Sequence, residues 1–301
     1  MRSVPSSSAL AVALGLVASA ANAQTLVLDA TGDTRLVATI QPAPENGDPA
    51  LHLSAHVERH GKAVPTALDG RDVSFARLLP DGRFLAITPA GALQIGALRP
   101  GAVSDGAVQN DDRVFTLDTG VFGAVGTSPD GRHWVYCKGA GGDTADGEVY
   151  RIDDGRVRRV TSGMAPAWSP AISPDGRRVV FVSAYSGVPV LYVQDQDAAP
   201  VALVNGDVHP QRGVVPVLAP TPDALTPPLV SADRLVFEAR GSVHILDTRG
   251  HTLRVLSGRV SPFWAEAPGK LGVFVLEGSL GRQPGGVSTN PEIVDLPPKS
   301  R

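Results

Sequence analysis

Histidines, carboxylates and one cysteine are the residues of this chain that could do chemistry, and their spacing limits what each can do. His56, Glu58 and His60 lie two apart in Leu51-His-Leu-Ser-Ala-His-Val-Glu-Arg-His60. Imidazole and carboxylate suit zinc, but along one extended strand such residues stand about 7 Å apart per step, too splayed for a single tetrahedral ion. The stretch reads instead as a strand with His52, Ser54, His56, Glu58 and His60 on its solvated face and Leu51, Leu53, Ala55 and Val57 on the other. Asp143, Asp146 and Glu148 gather three carboxylates in a Gly-rich stretch, which hints at calcium. The alternating acidic spacing and downstream Glu of an EF-hand loop are missing, so an acidic hairpin loop is the expectation. The glycines of 123–131 and 139–147 open no helix and predict no phosphate cradle.

Nucleophiles fare no better. The chain has no Gly-x-Ser-x-Gly elbow. Cys137 ends the apolar run Trp134-Val-Tyr-Cys137 and reads as a small core residue, not an activated thiol. No catalytic residue, metal ligand or cofactor is assigned from the sequence.

The elements that must carry these residues are strands. With 33 Gly and 26 Pro, the chain is punctuated too often for long helices, and no window sustains a 3.6-residue apolar period. A turn element recurs. Pro80-Asp-Gly82 precedes Arg-Phe-Leu-Ala-Ile87, Pro129-Asp-Gly131 precedes Arg-His-Trp-Val-Tyr136, and Pro174-Asp-Gly176 precedes Arg-Arg-Val-Val-Phe-Val182. Pro fixes φ, Asp bonds its own backbone and Gly accepts φ > 0, so each is a tight turn before an apolar strand. Degenerate copies are Ser231-Ala-Asp233, Ala267-Pro-Gly269 and, early on, Asn46-Gly-Asp48. A second hairpin follows most copies: 148–160 turns at Asp153-Asp-Gly155, 189–204 near Asp195, and 242–256 at Asp247-Thr-Arg-Gly250. Four short strands in up-and-down order, repeated, make propeller blades.

Trp168-Ser-Pro170, Ser173-Pro-Asp-Gly-Arg-Arg-Val-Val-Phe-Val-Ser183 and Val190-Leu-Tyr-Val193 resemble the blade repeat of the TolB β-propellers. The same repeat occurs in propeller domains of prolyl-oligopeptidase-type peptidases and of an oligogalacturonate lyase family. The resemblance implies a β-propeller, and a count of six first hairpins and, with the ring closed, six second hairpins predicts an all-β, six-bladed β-propeller of four-stranded antiparallel blades. Thr25 to Thr39 has the form of a blade's second hairpin, and 261–276 supplies a first hairpin without a second. Ring closure by the N-terminal strands pairing with the C-terminal blade is therefore expected. The TolB-type N-terminal α/β domain is not recognisable ahead of the propeller strands.

Residues 1–23 read as a signal peptide: Arg2, the apolar run Ala9 to Ala18, then Ala21-Asn22-Ala23 with cleavage after Ala23. The expected organisation is signal peptide 1–23, propeller 24–277 and a C-terminal tail 278–301. The tail and the Gly/Ala/Asp-rich stretch 99–113 are expected outside the blades. The apolar run Ala9 to Ala18 is too short to span a bilayer, and no later segment reaches the roughly 18 apolar residues needed. Removing Arg2 with the signal peptide moves the net charge from −3 to −4, which lacks the basic excess that nucleic acid requires. One cysteine cannot form an intramolecular disulfide, so stability must come from the core.

The reading that follows is a periplasmic or secreted, monomeric, non-catalytic scaffold with a protein or peptide partner in the cell envelope. The alternative is a carbohydrate-active lyase or hydrolase using the central channel. Candidate binding residues are Trp168 and Trp264, on expected innermost strands, and His209 and Arg212, in the Pro-rich connection 205–229. Asp81, Asp130 and Asp175 fall on one rim, where turn chemistry accounts for them.

Overall fold

Short turns and short apolar runs build a succession of antiparallel sheets. The structure, a computed structural model, describes residues 25–31, 34–40, 53–97, 103–104, 107–108, 114–139, 144–187, 189–203, 228–231, 233–239, 241–247, 251–264, 270–275 and 292–297. The stretch read as a signal peptide, with its cleavage point, lies outside them. No helix among the described residues is long and apolar enough to cross a membrane.

The first sheet holds β1 (Thr25–Thr31), β2 (Thr34–Ile40), β3 (Leu53–Arg59) and β4 (Lys62–Val64) in that order, with β5 (Asp72–Val73) also on β3. The second blade is β6 (Phe75–Leu78), β7 (Arg83–Ile87) and β8 (Leu93–Ala97). A two-stranded hairpin, β9 (Val103–Ser104) and β10 (Ala107–Val108), comes before its outer strand β11 (Phe115–Asp118). The third blade is β12 (Val121–Thr127), β13 (His133–Lys138), β14 (Glu148–Asp153) and β15 (Arg156–Arg159). The fourth is β16 (Ala167–Ile172), β17 (Arg178–Ser183), β18 (Val190–Asp195) and β19 (Val201–Ala202). The fifth is β20 (Leu229–Val230), β21 (Arg234–Ala239), β22 (Ser242–Asp247) and β23 (Thr252–Ser257). The last sheet has three strands, β24 (Arg259–Trp264), β25 (Lys270–Val275) and β26 (Glu292–Asp295).

The first strands of successive sheets are neighbours: β6 lies against β1 and β12, β12 against β16, β16 against β20, and β20 against β24. The protein is thus an all-β propeller with four-stranded antiparallel blades. The apolar clusters sit mainly between consecutive sheets, where facing strands cover one another's apolar side chains. Tyr136, Phe181 and Phe237 occupy equivalent places on β13, β17 and β21 and are fully buried. Burying one such aromatic side chain contributes about 1.5–3 kcal/mol.

The expected closure is overturned. The N-terminal hairpin belongs to the first sheet, where β2 pairs with β3 over seven residues, from Thr34 opposite Arg59 to Ile40 opposite Leu53. The reason is apolar matching: Leu36 and Ala38 share one sealed cluster with Leu53, Ala55 and Val57. The last sheet takes its third strand from Glu292–Asp295, inside the stretch expected to be a tail, with Lys270 opposite Asp295. Among the described residues there are five full blades, not the six expected, followed by a three-stranded sheet, and the N-terminal hairpin does not pair with that sheet.

Candidate functional site

The repeated aspartates are held by their own turns. Ser128 Oγ donates to Asp130 Oδ1 at 2.5 Å, and the Arg132 N–H donates to the same oxygen at 3.1 Å. Ser173 Oγ donates to Asp175 at 2.6 Å while accepting the Arg178 N–H at 2.9 Å. Ser231 repeats the bond to Asp233 at 3.1 Å. The serine hydroxyl, first, and then the backbone N–H hold the Asp130 and Asp175 carboxyls below the usual range. These groups fix turns.

A denser network lies at the seam between the third and fourth blades. The I′-type turn Asp154-Gly155 joins β14 to β15, with φ of 47° and 79°. Just before it, the Asp153 carboxylate meets His133 Nδ1 at 2.7 Å, Arg158 Nε at 3.2 Å and the Arg151 guanidinium. Burial works against the Asp153 charge, but Arg151, His133 and Arg158 outweigh it and hold the carboxyl below its usual range. Arg151 also donates to the Gly176 carbonyl of the fourth blade at 3.0 Å, and Arg158 reaches Asp197 of the same blade at 2.8 Å. Gly176 has φ of +69°, and a Cβ there would stand 2.6 Å from the His133 ring. The turn therefore serves the seam as well as its own blade.

At the opposite end of the third blade, buried Glu148 accepts from Arg159 at 2.7 Å, from the Gly163 N–H at 2.9 Å and from Thr161 Oγ. Asp118 accepts from Tyr136 at 2.8 Å and from Lys138 at 2.5 Å, with Lys138 Nζ 5.6 Å from the centroid of the Tyr150 ring. Burial, then the Asp118 hydrogen bond, pushes the Tyr136 hydroxyl far above its ordinary value. Burial likewise drives the Cys137 thiol up, so Cys137 is the inert core residue expected.

The sequence candidates do not converge. β3 alternates as expected: Leu53, Ala55 and Val57 are buried, and Ser54, His56 and Glu58 are half-buried. His56 and Glu58 approach to 3.4 Å, whereas His60 sits in the following turn with φ of 51°. Asp146 ends a short 3-10 turn, Thr144–Asp146, while Glu148 is committed to Arg159 and Thr161; Asp143 lies outside the described residues. No group of three or more His, Cys, Asp or Glu among the described residues is placed to hold a metal ion. Trp168 is on β16, buried in the seam cluster with Val180, Phe181 and Val182. Trp264 ends β24, and its side chain lies outside the described residues, as do His209 and Arg212.

What the sequence reading missed is the outer rim of the blades. Of the exposed large apolar side chains among the described residues, Phe115, Val157, Val201, Val255 and Ile293 all lie on the outermost strand of a sheet; Tyr185 lies on the loop after β17. β15 stands apart, because all four of its residues, Arg156-Val-Arg-Arg159, are exposed. A signal was available: a blade strand that reads charged at three of four positions does not fit a buried sheet.

No family model matches the sequence, and no curated protein matches it. Among solved structures the chain is similar to a protein assigned to TolB from Agrobacterium tumefaciens, at 18% identity over 74% of each chain, TM-score 0.42. It is similar to TolB from Acinetobacter baumannii, at 15% identity over 86% of this chain and 65% of that one, TM-score 0.44. An oligogalacturonate lyase in complex with manganese is 11% identical over 82% of this chain and 68% of that one, TM-score 0.48. At these identities and TM-scores none of the three lends this chain a role.

Proposed function

We propose that the protein is an exported propeller, released from its signal peptide after Ala23, that acts without catalysis as a scaffold for a protein or peptide partner in the cell envelope. One observation carries the reading. Among the described residues, the groups with chemical potential are spent on turns and seams, whereas the exposed large apolar side chains gather on the outermost strands. Asp153, Glu148 and Asp118 are each held by two or more donors, and Cys137 is sealed in the core. Apolar side chains on accessible edges are what a binding surface presents. Affinity capture from periplasm with residues 24–301 tests the reading. A specific partner retained across several salt concentrations is the expected outcome, and the absence of one counts against it.

A further inference from the structure

We propose that the outer edge of β15 takes up an extended, acidic segment of the partner protein as an added strand; this inference rests on the scaffold reading above and names its site. β15 closes its sheet, so one of its long edges has no strand beside it among the described residues. Its register with β14 fixes which backbone groups face outward. Val160 N–H donates to the Val149 carbonyl, and Asp153 lies opposite Arg156, so Arg156 and Arg158 direct their backbone groups toward β14. Val157 and Arg159 therefore direct theirs away, where an incoming strand would pair.

The side chains say what kind of strand that is. Arg156 and Arg158 share the face that carries Arg151 and Asp153, toward the fourth blade. Arg158 is engaged with Asp153 and Asp197, but Asp153 is shared with Arg151, and Arg156 has no ion-pair partner among the described residues. Guanidinium charge thus exceeds carboxylate charge along this edge. A second copy of the chain would set arginine against arginine, which disfavours self-pairing. A strand with acidic residues at alternate positions would meet Arg156 and Arg158 on one face and lay apolar side chains beside Val157 on the other.

The probe is a labelled ten-residue peptide alternating glutamate and valine, titrated against residues 24–301 by fluorescence anisotropy, with a lysine-for-glutamate peptide as control. The wild-type protein is expected to bind the acidic peptide, more weakly as salt rises past about 0.15 M, and not the basic one. Val157→Pro removes an outward N–H that the β14 ladder does not use, and Arg156→Glu reverses the free charge. Each is expected to weaken binding by about tenfold or more. Equal binding by both variants, no binding by the wild type, or a dimer on light scattering that Val157→Pro dissolves would overturn the proposal. If Val157→Pro unfolds the chain, Arg156→Glu alone decides. Affinity capture separates the two levels: a partner retained equally by wild type and Arg156→Glu overturns the edge, while a wild type that captures nothing overturns the scaffold reading.

Discussion

The seam between the third and fourth blades and the outer edge of the third blade draw on neighbouring strands of one sheet, β14 and β15, and they use arginine in opposite ways. At the seam Arg151 is 5% exposed and tied to Asp153 and to a carbonyl of the next blade. At the edge Arg156 is exposed and free of ion pairs among the described residues. The first arrangement holds blades together; the second leaves charge and backbone open to another chain. A repeat protein can thus place structural and recognition chemistry on neighbouring strands of one blade, with a turn of the next blade serving the seam.

This contrast can be broken from the inside outward. The largest effect is expected at the seam core: Phe181→Ala, at a fully buried position, should cost about 3–5 kcal/mol in denaturant unfolding. Gly126→Ala comes next. Its Cβ would lie 2.7 Å from the Pro170 carbonyl oxygen and 2.8 Å from the Ala171 Cα, so backbone must move, and overpacking of this kind costs about 1–3 kcal/mol. Ser173→Ala should lose about 1 kcal/mol, because its hydroxyl both donates to Asp175 and accepts the Arg178 N–H.

The blade order was legible because the Pro-Asp-Gly turns are local chemistry: each predicted strand after such a turn, at β7, β13 and β17, is present. The second hairpins at β14–β15 and β22–β23 were legible for the same reason. The ends were not. Pairing β2 with β3 crosses residues 41–52, and β26 reaches β25 from beyond 276–291, so no short turn announces either partner. Only the side-chain match of Leu36 and Ala38 with Leu53, Ala55 and Val57 settles the first case. The candidate edge was legible in its three arginines but not in its place at the end of the sheet. Arg156-Val-Arg-Arg159 was read as a strand, but exposure of a strand depends on its rank in the sheet, which spacing along the chain does not encode.

Acid should act on the blade junctions before the edge. The folded protein holds Asp153 and Asp118 below the usual carboxylate range; for Asp118, burial opposes this and the Lys138 and Tyr136 bonds overcome it. The unfolded chain therefore binds more protons as the pH approaches their unfolded values. Their stabilisation is complete above about pH 5 and is lost as pH falls below about pH 4 toward the folded values. Melting curves across that window should show Asp118→Asn with a shallower dependence on pH than the wild type. Smallest of all is Val157→Ser, expected to change stability by no more than about 0.5 kcal/mol, because its side chain is exposed.

Hydrogen exchange resolved to single amides tests the contrast most directly. Slow exchange is expected for Val180 and Val182 in the seam and fast exchange for Val157 and Arg159 in the free protein, with the latter two slowed when the glutamate–valine peptide is added. Slow exchange at Val157 and Arg159 without peptide, or unchanged fast exchange with it, would contradict the account.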